Sequence, residues 1–290
     1  MPIYHSLGEI PHKRHTAFRQ PNGKLYAEEL VSTEGFSGMY SLVYHTHPPT
    51  FVKALGEPYS VEPKIAREKH LRHTSLLGFN IKPEDDYLKS RKPVLVNADL
   101  QISLAAPRHS MTDYFYKNSQ ADEVIFIHKG SGTLQTGFGK IKFSYGDYLV
   151  VPRGTIYQIR FDDENNRLFI TESYSPIRFP KRYQNQFGQL MEHAPYCERD
   201  IRRPSDLETF DQEGDFKVLI KKQNEPELLD SNIVAVFGLM YNGEKSSVYF
   251  TTDTIYVDAF GNNLSPRDVS FAGFIQGKRL GDTLPLNYGL

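Results

Sequence analysis

The chain has 290 residues with 34 Lys and Arg against 35 Asp and Glu, a balance without the basic excess that nucleic acid or an anionic membrane surface recruits. A hydrophobic share of 39%, with 18 Tyr and 19 Phe, excludes a largely disordered chain and is enough for a sizeable core. The longest apolar run, Ile233 to Tyr241, is less than half of the roughly 20 residues that a membrane-spanning helix needs.

The polar first twenty residues contain no apolar signal-peptide core, and the lone Cys197 has no second cysteine to pair with. The expected compartment is therefore the cytoplasm. Residues 1–92 are punctuated by prolines and carry little periodicity, which predicts an amino-terminal arm of strands and loops. The stretch PKIAREKHLRH within it has some helical character, but it is too polar to pack a face on a core.

Residues 93–175 read differently. Short runs rich in Val, Ile, Phe and Tyr recur every eight to twelve residues or so, between Gly, Pro, Asn and Asp turn signals. Eight strands are predicted: LQISLAA, DYFYK, EVIFIHK, GTLQTGF, KIKFSY, DYLVVP, TIYQIRF and RLFITESYS. Eight short strands suit a jelly-roll barrel. A proline-punctuated basic segment, 176–214, follows as a linker or crossover. Residues 215–290 form a short β-rich carboxy-terminal segment with VYFTTDTIYV as its clearest strand, readable as an incomplete second barrel. The expected fold class is all-β, a jelly-roll barrel flanked by the arm and the short segment.

The barrel carries a spaced set of turn and acidic residues. Glu123 precedes Gly130 by six intervening residues, and Gly146, Pro152 and Gly154 recur in GDYLVVPRGTIY. This skeleton resembles the two motifs of the cupin family, whose histidines and glutamate hold a metal at the barrel mouth. The imidazoles are missing here. No His-x-His precedes Glu123, where the aromatic pair Tyr114 and Tyr116 stands six residues ahead, and Tyr157 replaces the second-motif histidine. Phenols with an ordinary pKa of about 10 are poor ligands for a first-row divalent metal at neutral pH. A metal-free barrel is expected. Strand alternation places Glu123 with Ile125 and Ile127, and Tyr157 with Ile159 and Phe161. Tyr114, Tyr116, Glu123 and Tyr157 are thus the candidate lining of a ligand pocket, or a buried carboxylate held by phenols.

His45 and His47, at i, i+2 in YHTHPP, are the remaining candidate metal ligands, since two histidines and a carboxylate make an iron-binding triad. Adjacent prolines favour a surface role for them. His128 alternates out of phase with Glu123 and points away from the barrel interior, and Cys197 lacks a placed base.

Several long segments occur in order: YHSLGEIPHKRHTAFR, GFSGMYSLVYHTHPPT, VNADLQISLAAPRHSMTDYFYKNSQADEVIFIHKGSG, YGDYLVVPRGTIYQI and FGQLMEHAPYCERDIRRP. From residue 1 to about 223 the chain resembles the bacterial homogentisate 1,2-dioxygenase family. That resemblance implies Fe(II)- and O2-dependent cleavage of the aromatic acid homogentisate to maleylacetoacetate in tyrosine and phenylalanine catabolism. It also implies a trimer-based homo-oligomer. The family's iron ligands, two His and one Glu, lie in its carboxy-terminal cupin. No histidine follows His193 here, so catalytic and metal-binding residues have no positions to occupy.

Overall fold

The computed structural model describes residues 1–4, 17–32, 40–47, 52–66, 73–204, 212, 214–223 and 232–239. The polar stretch at 67–72 and the strand-like segment VYFTTDTIYV lie outside the described residues.

Two sheets face each other. The first contains β5 (Lys92–Val96), β6 (Leu100–Ala105), β8 (Asp122–Lys129), β11 (Tyr148–Val151) and β13 (Arg167–Ser173), in the order β11-β8-β13-β6-β5. The second runs β10 (Gly139–Phe143), β9 (Gly132–Thr136), β12 (Ile156–Phe161), β7 (Phe115–Asn118), β14 (Phe216–Gln223), β15 (Asn232–Leu239) and β3 (Val52–Leu55), with β4 (Tyr59–Ser60) also paired to β15. A separate antiparallel pair is formed by β1 (Ala27–Ser32) and β2 (Tyr40–His45). This is the all-β jelly roll read from the spacing of the turn signals, and each of the eight predicted strands has its counterpart between β6 and β13.

Alternation explains the core. Along β8, Glu123, Ile125 and Ile127 are buried while Val124 and Phe126 are only partly so, and along β13 Leu168, Ile170 and Glu172 take the inward positions. Ile159 and Tyr157 of β12 and Leu134 of β9 close over them from the second sheet, while Leu149 and Val151 of β11 extend the same inner face. The motif glycines make the turns. Gly130 has φ +107°, and a Cβ there would lie 1.9 Å from Oδ1 of the buried Asn166, so both conformation and space require glycine.

Chain on either side is tied to the barrel. Strand β14 pairs in parallel with β7, aligning Leu219 with Tyr116 and Lys221 with Asn118. Asp122 anchors the exit from the barrel: its Oδ1 accepts from the Arg153 backbone N–H (3.0 Å) and Nε (3.1 Å), and its Oδ2 from the Ile177 N–H (2.6 Å).

Candidate functional site

The inward carboxylates of β8 and β13 are direct cross-strand neighbours, Glu123 opposite Glu172. Like charges in that relation repel unless a cation lies between them. Arg91, in the turn leading into β5, supplies it. Its Nη1 donates to Glu123 Oε1 and its Nη2 to Glu172 Oε2, each at 2.7 Å. Lys221, carried in by β14, donates to the other oxygen of Glu172 at 2.6 Å. Asn118 Nδ2 reaches the same oxygen at 2.8 Å, and Gln101 Nε2 reaches Oε2 at 3.0 Å.

The Tyr157 hydroxyl completes Glu123, donating to Oε2 at 2.7 Å. All four charged side chains are at most 8% exposed. Two carboxylates, one guanidinium and one ammonium sum to zero, the condition under which buried charge is tolerated.

Aromatic rings wall the cluster. Tyr116 meets Tyr157 edge-on with centroids 5.5 Å apart, Tyr87 lies 6.3 Å from Tyr157, and the Arg91 guanidinium sits over the Tyr87 ring at 5.2 Å. Burial, reinforced by the charge of Glu123, pushes the Tyr116 and Tyr157 phenols well above their usual range. They stay protonated, and Tyr157 acts as a donor. For Glu172 burial pushes upward, but Arg91 and Lys221, together with the hydrogen bonds from Lys221 and Asn118, outweigh it and hold the carboxyl below 4.5.

Of the four residues singled out in the sequence, three converge: Glu123, Tyr157 and Tyr116. Tyr114 is buried farther along the barrel, where burial and then Asp86 raise its phenol, and the Lys89 ammonium lies 6.0 Å from its ring. The nearer i, i+2 pair is Tyr116 and Asn118, which four residues separate from Glu123. These two, with Glu123 and Tyr157, occupy the positions that metal ligands take in the cupin pattern.

Sequence reasoning missed Arg91, Glu172, Lys221 and Gln101. Glu172 had a signal, the same alternation with Leu168 and Ile170 that exposed Glu123. Arg91 and Lys221 had none, because each comes from outside the eight-strand pattern.

The donor set does not fit ferrous iron. Both oxygens of Glu123 are engaged, one by a guanidinium, and the remaining positions offer protonated phenols and an amide already committed to Glu172. His45 Nε2 lies 2.8 Å from Glu29 Oε2 across β1 and β2, but among the described residues no group of three or more His, Cys, Asp and Glu is placed to hold a metal.

A phenylalanine at position 157 removes one hydrogen bond to a buried charge while leaving Arg91 in place. Tyr157→Phe is expected to lower stability by about 1.5–3 kcal/mol in equilibrium urea unfolding. An unchanged midpoint contradicts the assigned role.

The family described as "Homogentisate 1,2-dioxygenase N-terminal" matches residues 87–224. A curated relative from Saccharolobus solfataricus, named "Putative dioxygenase SSO1533", is 39% identical over 230 residues, covering 79% of this chain and 59% of that protein. The chain thus spans about three-fifths of the length of the relative it matches. Solved structures similar in part include a cupin-2 domain protein of Shewanella frigidimarina (19% identity, TM-score 0.26, covering 29% of this chain and 79% of the other) and KdgF from Halomonas sp. (17%, 0.27, 30% and 78%). Among the described residues, no helix is long and apolar enough to cross a membrane. With the motif skeleton of its barrel and this match at residues 87–224, the chain resembles the homogentisate 1,2-dioxygenase family through that family's N-terminal domain.

Proposed function

We propose that this protein is a homogentisate-dioxygenase-like cupin whose described barrel is a metal-free scaffold and does not house ring cleavage. The observation that carries this reading is the Arg91 guanidinium between Glu123 and Glu172, a fixed cation where the cupin pattern has a metal. Family chemistry supplies the context: ferrous iron, O2 and homogentisate, converted to maleylacetoacetate in tyrosine and phenylalanine catabolism. The barrel's contribution is rigidity. Arg91 from before β5 and Lys221 from β14 meet the barrel's own carboxylates in one charge-balanced centre. The cytoplasm is the compartment we assign, since the one cysteine is buried and has no disulfide partner.

The test uses purified protein loaded with Fe(II), desalted, and assayed for iron content and for O2 uptake with homogentisate. We expect well under one iron per chain and no uptake above a protein-free control. About one iron per chain, with uptake that follows the iron and disappears in Glu123→Gln, overturns the scaffold reading.

A further inference from the structure

The guanidinium of Arg91 is a fork of five N–H donors, and the two carboxylates use only two of them, one on Nη1 for Glu123 and one on Nη2 for Glu172. The other three have no acceptor among the described residues, although the side chain is only 8% exposed. Tyr116 repeats the pattern. Its hydroxyl lies within the electrostatic reach of Arg91 and Glu123, on a residue with no exposed surface, and has no partner among the described residues.

Gln101 shows the complementary lack from β6. Its amide nitrogen donates to Ser103 Oγ at 3.3 Å and to Glu172 Oε2 at 3.0 Å, while its Oε1 is buried with no donor among the described residues. Native cores seldom leave such atoms unmet, because a buried donor or acceptor without a partner loses the hydrogen bond it makes to water in the unfolded chain. Unmet donors and an unmet acceptor thus surround one ion cluster.

We propose that the centre of the barrel is a built site for ordered water: one molecule accepts from the Tyr116 hydroxyl and from an N–H of Arg91, and a second donates to Gln101 Oε1. The proposal rests on the guanidinium-centred reading above, since a metal between the carboxylates would displace Arg91.

Charge and access select water over other occupants. An anion would satisfy the spare donors, but the cluster already sums to zero, and an added charge would be buried without a counterion. Tyr116, Glu123, Tyr157 and Glu172 are at most 1% exposed, which leaves no opening at them for a larger molecule. Water also supplies both functions at once, accepting from phenol and guanidinium and donating to the amide oxygen, and buried waters of folded proteins typically make about three such bonds.

Two measurements on the full chain test this. In a high-resolution crystal structure of the protein prepared in chelator, an ordered water is expected within about 2.7–3.2 Å of both Tyr116 Oη and an Arg91 nitrogen. In urea unfolding, Tyr116→Phe is expected to raise the unfolding equilibrium constant about fivefold, the equivalent of one net hydrogen bond lost. A midpoint that is unchanged or higher in Tyr116→Phe overturns the proposal, because deleting a hydroxyl that bonds nothing relieves the core. Clear density around Tyr116 without a water, or a Tyr116 hydroxyl that donates directly to a protein group, overturns it too and leaves the metal-free reading standing. A peak at about 2.0–2.2 Å from a Glu123 oxygen, the distance of a bound metal, overturns both.

Discussion

Replacing Arg91 by alanine is expected to cost about 3–5 kcal/mol of stability, the largest single-residue effect this fold predicts. The reason is electrostatic. Arg91 is the cation between Glu123 and Glu172, which face each other across β8 and β13, and without it two buried carboxylates confront one another with only Lys221 to compensate. Such a site responds by taking up a proton or by admitting water, and both loosen the barrel. Equilibrium unfolding in urea reads the loss directly. Arg91→Lys is expected to fall between wild type and alanine, because an ammonium keeps the charge but cannot span both carboxylates as the planar guanidinium does. A midpoint for Arg91→Ala within the scatter of ordinary surface substitutions, about 0.5 kcal/mol, contradicts the assignment.

The second large effect is on acid stability. Arg91 and Lys221 hold Glu172 below its ordinary value of 4.5 in the folded chain, despite the upward push of burial. In the unfolded chain it returns to that ordinary range. A group with a depressed folded pKa contributes stability that is present above its unfolded pKa and is lost as pH falls through the folded value. Thermal midpoints are therefore expected to hold from neutral pH down to about 5 and then drop as the pH falls through the carboxylate range. Glu172→Gln, less stable at neutral pH, is expected to show a shallower drop. Parallel pH profiles for the two proteins contradict the role given to Glu172.

The fold was legible because its signals are local. Runs such as EVIFIHK and RLFITES alternate, and glycines such as Gly130 mark turns that only glycine makes, so β6 to β13 are readable from spacing alone. The site was half legible for the same reason. Glu123 and Tyr157 sit on motif positions in strands whose inward face is set by their isoleucine neighbours. Lys221 is different. It is buried because β14 enters the sheet in parallel beside β7, and a parallel pairing between residues about one hundred positions apart leaves no periodic trace in either strand. Arg91 lies in a turn, where a charged residue is unremarkable until the carboxylates it bridges are located.

If the Arg91 guanidinium takes the place of a metal in this barrel, as proposed, the stability of the fold is independent of metal. A metal bound to the native barrel raises the unfolding midpoint with concentration, because ligand that prefers the folded state stabilises it. Urea unfolding of the wild type and of Glu123→Gln is compared in chelator and in excess Fe(II) under exclusion of oxygen. The same wild-type midpoint is expected in both. A midpoint that rises with Fe(II) in the wild type, and no longer rises in Glu123→Gln, contradicts it and makes Glu123 a metal ligand.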